Sequence, residues 1–216
     1  MTDSEQIEQY ILSHIDEESD ALKKLDRDAH VKLLRPRMLS GHLQGRILKM
    51  ICRLVQPGFI LEIGTYTGYA ALCMAEGAPE NAVIHTIEIN DELEDFIRDH
   101  LRNSGYEDKI HLHIGDAMDI VPGLDCMFDL VFIDANKRDY CAYYNLIFEK
   151  VRPGGLILAD NTLWDGKVLT TPSNTDRQTT GIQDFNDMIM EDDRVEKVIL
   201  PVRDGLTMIW KKTDIA

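Results

Sequence analysis

The chain has 216 residues, of which 44% are hydrophobic, so one domain with a substantial core is expected. No apolar run approaches the roughly 20 residues of a membrane span, and the acidic start is unlike a secretory signal, which begins with basic residues. The net charge of −15 argues against a broad nucleic-acid surface, and four cysteines without a close pair indicate buried thiols in a reducing cytoplasm.

Helices are predicted for the first part of the chain, before any strand. Apolar residues at helical spacing and a closing Gln56-Pro57-Gly58 indicate three of them. Their predicted ranges are 4–14, 19–29 and 41–55. We expect residues 1–57 to cover a ligand site and residues 58–216 to form the core of the same domain.

A basic span runs from Val31 to Gly58, with six Lys and Arg residues and no acid. Two interpretations stay open for it. The span pairs with the acidic N-terminal helices across the fold, or Arg35 and Arg37, which flank Pro36, hold an anionic group near the site.

From Phe59 onward, short strands and helices alternate, which is typical of a parallel, doubly wound sheet. The predicted strands are 59–64, 82–88, 110–114, 128–133, 155–159, 194–200 and 206–211. The predicted helices are 67–76, 91–104, 139–151 and 181–191. A turn signal at Arg203-Asp204-Gly205 predicts an antiparallel hairpin at one edge. The fold class is therefore α/β: a Rossmann-like seven-stranded sheet, mostly parallel, with helices on both faces.

The first strand ends in the pattern Glu62-x-Gly64-x-x-x-Gly68. A strand that enters a glycine turn and then a helix is the nucleoside- or phosphate-binding corner of an open α/β sheet, where glycines let a ligand approach the backbone. The spacing is not the G-x-G-x-x-G of dinucleotide folds, which argues against an oxidoreductase. A buried Glu62 needs a cationic or hydrogen-bonding partner in the pocket; the alternative is a turn with a capped carboxylate.

Two further acids follow the second and third strands. Glu88 lies 20 residues past Gly68, at a strand tip, where it can accept hydrogen bonds from both ribose hydroxyls of a nucleoside. The turn Gly115-Asp116-Ala117 carries an acid that can hold an adenine amino group. Together, E-x-G-x-x-x-G, Glu88 and G-D-A resemble the S-adenosylmethionine-dependent methyltransferases.

Oxygen-bearing side chains also end the fourth and fifth strands, as Asp134 and as Asp160-Asn161. Both strand tips should lie on the ligand side of the sheet, and an all-oxygen site selects Mg, Mn or Ca over zinc. The alternative is that these carboxylates are helix caps or loop residues. The stretch from Asn161 to Thr180 shows no periodicity and leaves the same strand end, so we expect a long irregular loop that acts as a lid.

The stretches Phe132-Ile133-Asp134-Ala135-Asn136-Lys137 and Ala159-Asp160-Asn161-Thr162-Leu163-Trp164-Asp165-Gly166 resemble the metal-dependent catechol and caffeoyl-CoA O-methyltransferases, from about Arg35 to the C-terminus. The resemblance implies that Asp134, Asp160 and Asn161 bind a divalent cation and that Lys137 is the general base, with Asp134 beside it. The implied contacts to S-adenosylmethionine are Ser40, Glu62, Gly64, Thr65, Glu88, Asp116, Ala117, Asp134 and Asn136. The implied substrate contacts are Met38, Trp164 and Asp165.

Three positions depart from the plant members of that family. Asn136 stands in place of an Asp, Ala70 in place of a Ser, and Asp165 in place of an Asn near the substrate. The first two changes remove a charge and a hydroxyl from the expected donor contacts. The N-terminal substrate-binding segment does not align clearly with the family, so the resemblance supports the cofactor and the metal better than the acceptor.

The predicted function is a cytoplasmic O-methyltransferase that uses S-adenosylmethionine and a divalent cation on a small vicinal dihydroxy aromatic. Relatives are commonly homodimers, and an open sheet edge from Val195 to Trp210 invites cover, so a homodimer is expected. One alternative is the same chemistry on a hydroxylated uridine of tRNA, which the basic span favours and the net charge opposes. Another is a nucleoside-binding module without catalysis, which the complete set of Asp134, Asp160 and Asn161 opposes.

Overall fold

The computed structural model describes the backbone of residues 3–213 and the side chains of residues 6–213. Seven strands form one sheet: β1 (Phe59–Ile63), β2 (Val83–Glu88), β3 (Ile110–Ile114), β4 (Phe128–Ile133), β5 (Val151–Asp160), β6 (Val195–Leu200) and β7 (Leu206–Lys211). Their order across the sheet is β3-β2-β1-β4-β5-β7-β6. The first five strands pair in parallel, whereas β7 runs antiparallel to both β5 and β6. The predicted fold class, including the C-terminal hairpin, is confirmed.

The described α-helices are α1 (Asp3–Leu12), α2 (Asp20–Lys32), α3 (Gly41–Val55), α4 (Tyr69–Gly77), α5 (Glu94–Arg102), α6 (Ala117–Ile120), α7 (Tyr140–Phe148) and α8 (Arg177–Glu191). The short helix α6 is absent from the prediction. Asp116 caps it, because its carboxylate accepts a hydrogen bond from the Met118 amide at 2.8 Å. The acid expected to meet adenine therefore also begins a helix.

The predicted start of β5 is wrong. The strand begins at Val151, which already pairs with Phe128 before the register shifts along β4. The preceding helix, predicted to reach residue 151, ends at Phe148. Because its pairing with β4 is irregular, β5 continues through a Pro-Gly sequence that by itself predicts a turn.

The predicted start of α8 is also wrong. It begins at Arg177 rather than at 181, since the Asp176 carboxylate caps it and accepts from the Thr179 amide at 3.1 Å. A 3-10 helical stretch, Trp164–Leu169, lies within the segment expected to be irregular. That segment is therefore shorter and more ordered than the prediction.

Two apolar cores lie on opposite faces of the sheet. One packs α2, α3, α4 and α5 against the face that carries Ile60, and the other packs α6, α7 and α8 against the face that carries Leu61 and Ile63. Parallel strands buried on both faces are near-continuous apolar runs, as observed here. None of the helices within residues 3–213 combines the length and apolar character needed to span a membrane.

The turn after β1 brings the carboxyl ends of β1 and β4 together. Gly64 has a φ of +100°, and a Cβ built on it would overlap the backbone carbonyl of Asp134. Ligand access is the role that the sequence suggests for this glycine. In the structure it instead lets the turn pass over the end of β4, which sets the position of Asp134.

Candidate active site

A cavity of about 730 Å³ lies at the carboxyl ends of β1, β2, β4 and β5. This volume is in the range of small-molecule sites. Most of the predicted site residues line it: Met38, Ser40, Gly64, Glu88, Asp116, Ala117, Asp134, Asn136, Lys137, Asp160, Asn161 and Trp164. The structure thus gathers residues from both halves of the chain around one space. Glu62, Thr65 and Asp165 lie outside its wall.

Glu88 is held rigidly at the end of β2. One carboxylate oxygen accepts from the Tyr66 amide at 2.6 Å, and the other accepts from the Asn90 amide at 2.9 Å. A carboxylate has about four acceptor positions, so each oxygen keeps capacity for a further donor. This geometry fits a cis-diol placed in the cavity.

Glu62 lies beneath the cavity wall and is fully buried. One oxygen accepts from the Thr86 hydroxyl, which also contacts the Thr65 hydroxyl; the other oxygen, Oε1, has no hydrogen-bond partner among the described residues. Burial, with smaller contributions from Asp134 and Glu88, raises the pKa of Glu62 to about 8. An orphaned buried carboxyl oxygen fits the ammonium group of an amino-acid moiety, as S-adenosylmethionine carries.

Asp134 and Asp160 place two carboxylates at neighbouring strand ends. Asp160 is 4% exposed, and its oxygens accept from the Gln44 amide at 2.7 Å and from the Asn161 backbone amide at 2.8 Å. Burial and then the charge of Asp134 raise the pKa of Asp160 to about 6. The charge of Asp134 therefore disfavours the ionised form of Asp160, an effect that the nearby Lys137 ammonium opposes.

Lys137 links the ends of β4 and β5. Its ammonium donates to Asp134 Oδ1 and to Tyr140 Oη, both at 2.7 Å, and the Tyr140 hydroxyl donates to the Asp160 backbone carbonyl at 2.9 Å. Lys137 is 7% exposed and yet lines the cavity. It is a basic group at the floor of the site, in contact with the Asp134 carboxylate and linked through Tyr140 to the backbone of Asp160.

These residues fit a hard divalent cation. Two carboxylates and the Asn161 amide oxygen are the ligand types that Mg, Mn and Ca prefer. Asn161 follows β5 directly with a φ of +57°, a left-handed conformation that asparagine tolerates. No group of three or more His, Cys, Asp or Glu side chains in residues 6–213 is arranged to hold a metal ion; the set here has two Asp and one Asn.

The outer part of the cavity is formed by Met38, Trp164, Arg35 and Arg37. Both arginines are exposed, and neither forms an ion pair with a carboxylate in the part of the chain that the structure describes. Trp164 is partly buried against the apolar core that contains α6, α7 and α8. Asp165 is exposed outside the wall, and its backbone amide donates to the Asp204 carboxylate.

Sequence reasoning missed Gln44, Tyr66, Tyr140 and Arg203. A signal existed for Gln44, which shares the apolar face of α3 with Leu48. A polar residue in that position needs a buried partner. The partners of Tyr66 and Arg203 lie in segments distant in the chain, and Tyr140 bonds both the nearby Lys137 and the more distant Asp160 carbonyl. No local pattern marks these three residues.

The family model described as O-methyltransferase matches residues 12–212. A caffeoyl-CoA O-methyltransferase from Eucalyptus gunnii is 32% identical, and the match covers 95% of this chain and 87% of that protein. Caffeoyl-CoA O-methyltransferase 2 from Zea mays is 34% identical, with 95% and 82% covered. The solved structure of an O-methyltransferase from Streptomyces achromogenes in complex with SAM has a TM-score of 0.90 at 29% identity, with 98% of this chain and 100% of that chain covered.

Proposed function

Since this chain belongs to the O-methyltransferase family, we propose that it methylates one hydroxyl of a small vicinal dihydroxy aromatic, of the catechol or caffeoyl type, with a divalent cation at Asp134, Asp160 and Asn161. The observation that carries the proposal is the placement of Lys137 Nζ 2.7 Å from Asp134, in the wall of the cavity that also contains Glu88. The caffeoyl-CoA O-methyltransferases among the relatives support the acceptor class.

S-adenosylmethionine, when bound, supplies an electrophilic methyl group. In this proposal Glu88 accepts hydrogen bonds from the two ribose hydroxyls, because its oxygens are already oriented by two backbone amides. Glu62 lies beneath the wall with no exposed surface, so its orphaned oxygen would reach the ammonium group of the donor only through a shift of that wall. Ser40 and Ala117, which also line the cavity, would contact the donor.

A divalent cation, when bound, lowers the pKa of a coordinated hydroxyl. Asp134, Asp160 and Asn161 would orient the acceptor so that one oxygen faces the methyl group. Lys137 would accept the hydroxyl proton at Nζ after its ammonium has released a proton to solvent, and Tyr140 holds that nitrogen in place. Positioning two bound reactants in this way contributes up to roughly 7–11 kcal/mol to lowering the barrier.

A second candidate is methylation of a hydroxylated uridine in tRNA. The observation that favours it is the pair Arg35 and Arg37 in the cavity wall without a described acidic partner. The net charge of −15 opposes it, since a polyanion is repelled.

The test is a methyl-transfer assay with isotopically labelled S-adenosylmethionine against catechols, catechol thioesters and undermodified tRNA. We expect transfer to a catechol that stops with excess chelator and returns with Mg or Mn. Full activity in excess chelator would contradict the role of the metal. Methyl transfer to tRNA alone would contradict a small aromatic acceptor and favour the second candidate.

A further inference from the structure

Gln44 is a buried amide on the apolar face of α3, 2% exposed. Its Nε2 donates to Asp160 Oδ2 at 2.7 Å, and its Oε1 accepts from Arg203 Nη1 at 3.3 Å. A buried amide is costly unless both ends are satisfied. Here one end is satisfied by a carboxylate of the site, 116 residues away in the chain.

The two partners leave Gln44 one orientation. A guanidinium has only donors, so it faces the amide oxygen, and an ionised carboxylate has only acceptors, so it faces the amide NH₂. Arg203 is anchored in turn, because both its terminal nitrogens donate to the Leu39 carbonyl, at 3.2 and 3.3 Å. The β6–β7 turn thereby holds the segment before α3 and the Gln44 amide together.

We infer that Gln44 is a positioning residue, which holds the Asp160 carboxylate in the orientation that cation binding requires, and that Arg203 fixes the Gln44 amide for this purpose. The inference rests on the proposed function, in which Asp160 is a metal ligand. Partners that orient a ligand carboxylate reduce the freedom lost when the ion binds.

The test is Mn²⁺ binding by the full chain without substrates, measured from the electron paramagnetic resonance signal of free Mn²⁺. Gln44→Met keeps a side chain of similar length but removes both hydrogen bonds. We expect its Mn²⁺ dissociation constant to rise about 10- to 100-fold, the range for loss of an orienting partner. Binding of S-adenosylmethionine, measured by calorimetry, should remain unchanged.

Lys211→Met is the matched control. Lys211 is 5% exposed, and its ammonium donates to the carbonyls of Phe148 and Val151 at 2.7 and 2.9 Å. It lies at the opposite end of β7 from Leu206, the residue that pairs with Asp160. Its loss should lower the melting temperature and leave Mn²⁺ affinity at the wild-type value.

A folded Gln44→Met with wild-type Mn²⁺ affinity would overturn the inference, as would an equal loss of affinity in Lys211→Met. If Gln44→Met does not fold, Arg203→Met decides: we expect a smaller rise in the dissociation constant, and no rise would overturn the inference. Asp160→Ala separates a failure of this inference from a failure of the proposed function. If Asp160→Ala binds Mn²⁺ as tightly as the wild type, the proposed metal site itself is contradicted. If Asp160→Ala loses Mn²⁺ binding but Gln44→Met keeps it, only the role of Gln44 is contradicted.

Discussion

The individual residues of the site are distinguished by how tightly the fold holds them. Glu88 is fixed by two backbone amides, Asp160 by a backbone amide and Gln44, and Lys137 by Asp134 and Tyr140. Asn136 and Met38 are exposed at the rim. Single substitutions at the fixed residues should therefore separate donor binding, cation binding and acceptor binding.

Glu88→Ala should weaken S-adenosylmethionine binding by about 1–3 kcal/mol, the contribution of a hydrogen-bonding charged group, which is roughly 5- to 150-fold in the dissociation constant. Calorimetry measures it directly. Glu107→Ala, a change at an exposed acid outside the cavity, serves as the control. Unchanged affinity in Glu88→Ala would remove this residue from the donor site.

Asp160→Ala should abolish methyl transfer and leave donor binding nearly intact, because the carboxylate lies on the side of the cavity where the cation and acceptor would bind. Turnover and calorimetry on the same preparation check both parts. Asp184→Ala, at an exposed position on α8, is the control. Substantial turnover in Asp160→Ala would contradict a cation-dependent reaction.

Arg35→Ala combined with Arg37→Ala should raise the KM for the acceptor with little change in kcat, which is the signature of lost uniform binding. The reason is that these exposed guanidinium groups line the outer cavity and are available to an anionic group on the acceptor. Steady-state kinetics at several salt concentrations should show a weak salt dependence, unlike that of a polyanion. Wild-type kinetics on every accepted substrate would make the pair structural.

At the scale of elements, the paired strands β2 and β3 carry three histidines on one face. His85 Nδ1 lies 3.0 Å from His113 Nε2, and the His85 ring also stacks on His111 and meets the edge of Phe128. Burial, with the neighbouring histidines adding to it, lowers the pKa of His85 from 6.5 to about 4. The strand pair therefore favours a neutral imidazole.

This histidine cluster predicts that the folded protein loses stability in acid. Between pH 6.5 and 4 the unfolded chain binds more protons at His85 than the folded chain does. The stability that neutral His85 contributes to the folded state is therefore complete above about pH 6.5 and is lost as the pH falls toward 4. Melting temperatures from pH 4 to 8 should fall less steeply for His85→Gln than for the wild type. An exposed control, His14→Gln, should follow the wild type; equal slopes for His85→Gln would refute the prediction.

At the scale of the whole molecule, the helices cover the sheet unevenly. Helices bury both faces of the central strands, whereas β6, at one edge, exposes 52% of Val198 and 43% of Ile199. The apolar residues on this edge support the expected homodimer, since an uncovered edge is a site of association.

A dimer predicts a sedimentation mass of about twice the single-chain 24.7 kDa at micromolar concentration. Replacing Val198 and Ile199 with Lys should shift the mass toward one chain, because a charge opposes pairing at a strand edge. A wild-type mass near 24.7 kDa would contradict the assembly.

Local sequence patterns were enough to predict the strands of the sheet and most of the residues that gather at its carboxyl edge. Apolar runs predicted the strands, and acids at their ends had to converge because the carboxyl ends of parallel strands share one edge. The positions of Glu88, Asp134 and Asp160 at one edge follow from this rule, and their proposed roles rest on the motifs that carry the family resemblance. The domain division at residue 57 and the assignment of each contact to a ligand stay predictions.

How those acids are held depends on the packing of the folded chain. Glu62 is the next-to-last residue of β1 and pairs with Phe132, so its side chain lies beneath the cavity wall, whereas Asp134 follows the last residue of β4 and lines the cavity. The contact of Gln44 with Asp160, and of Arg203 with Gln44, joins segments more than 100 residues apart. Such contacts depend on how α3 and the β6–β7 turn pack across the sheet, and packing is a property of the whole chain that no local pattern encodes.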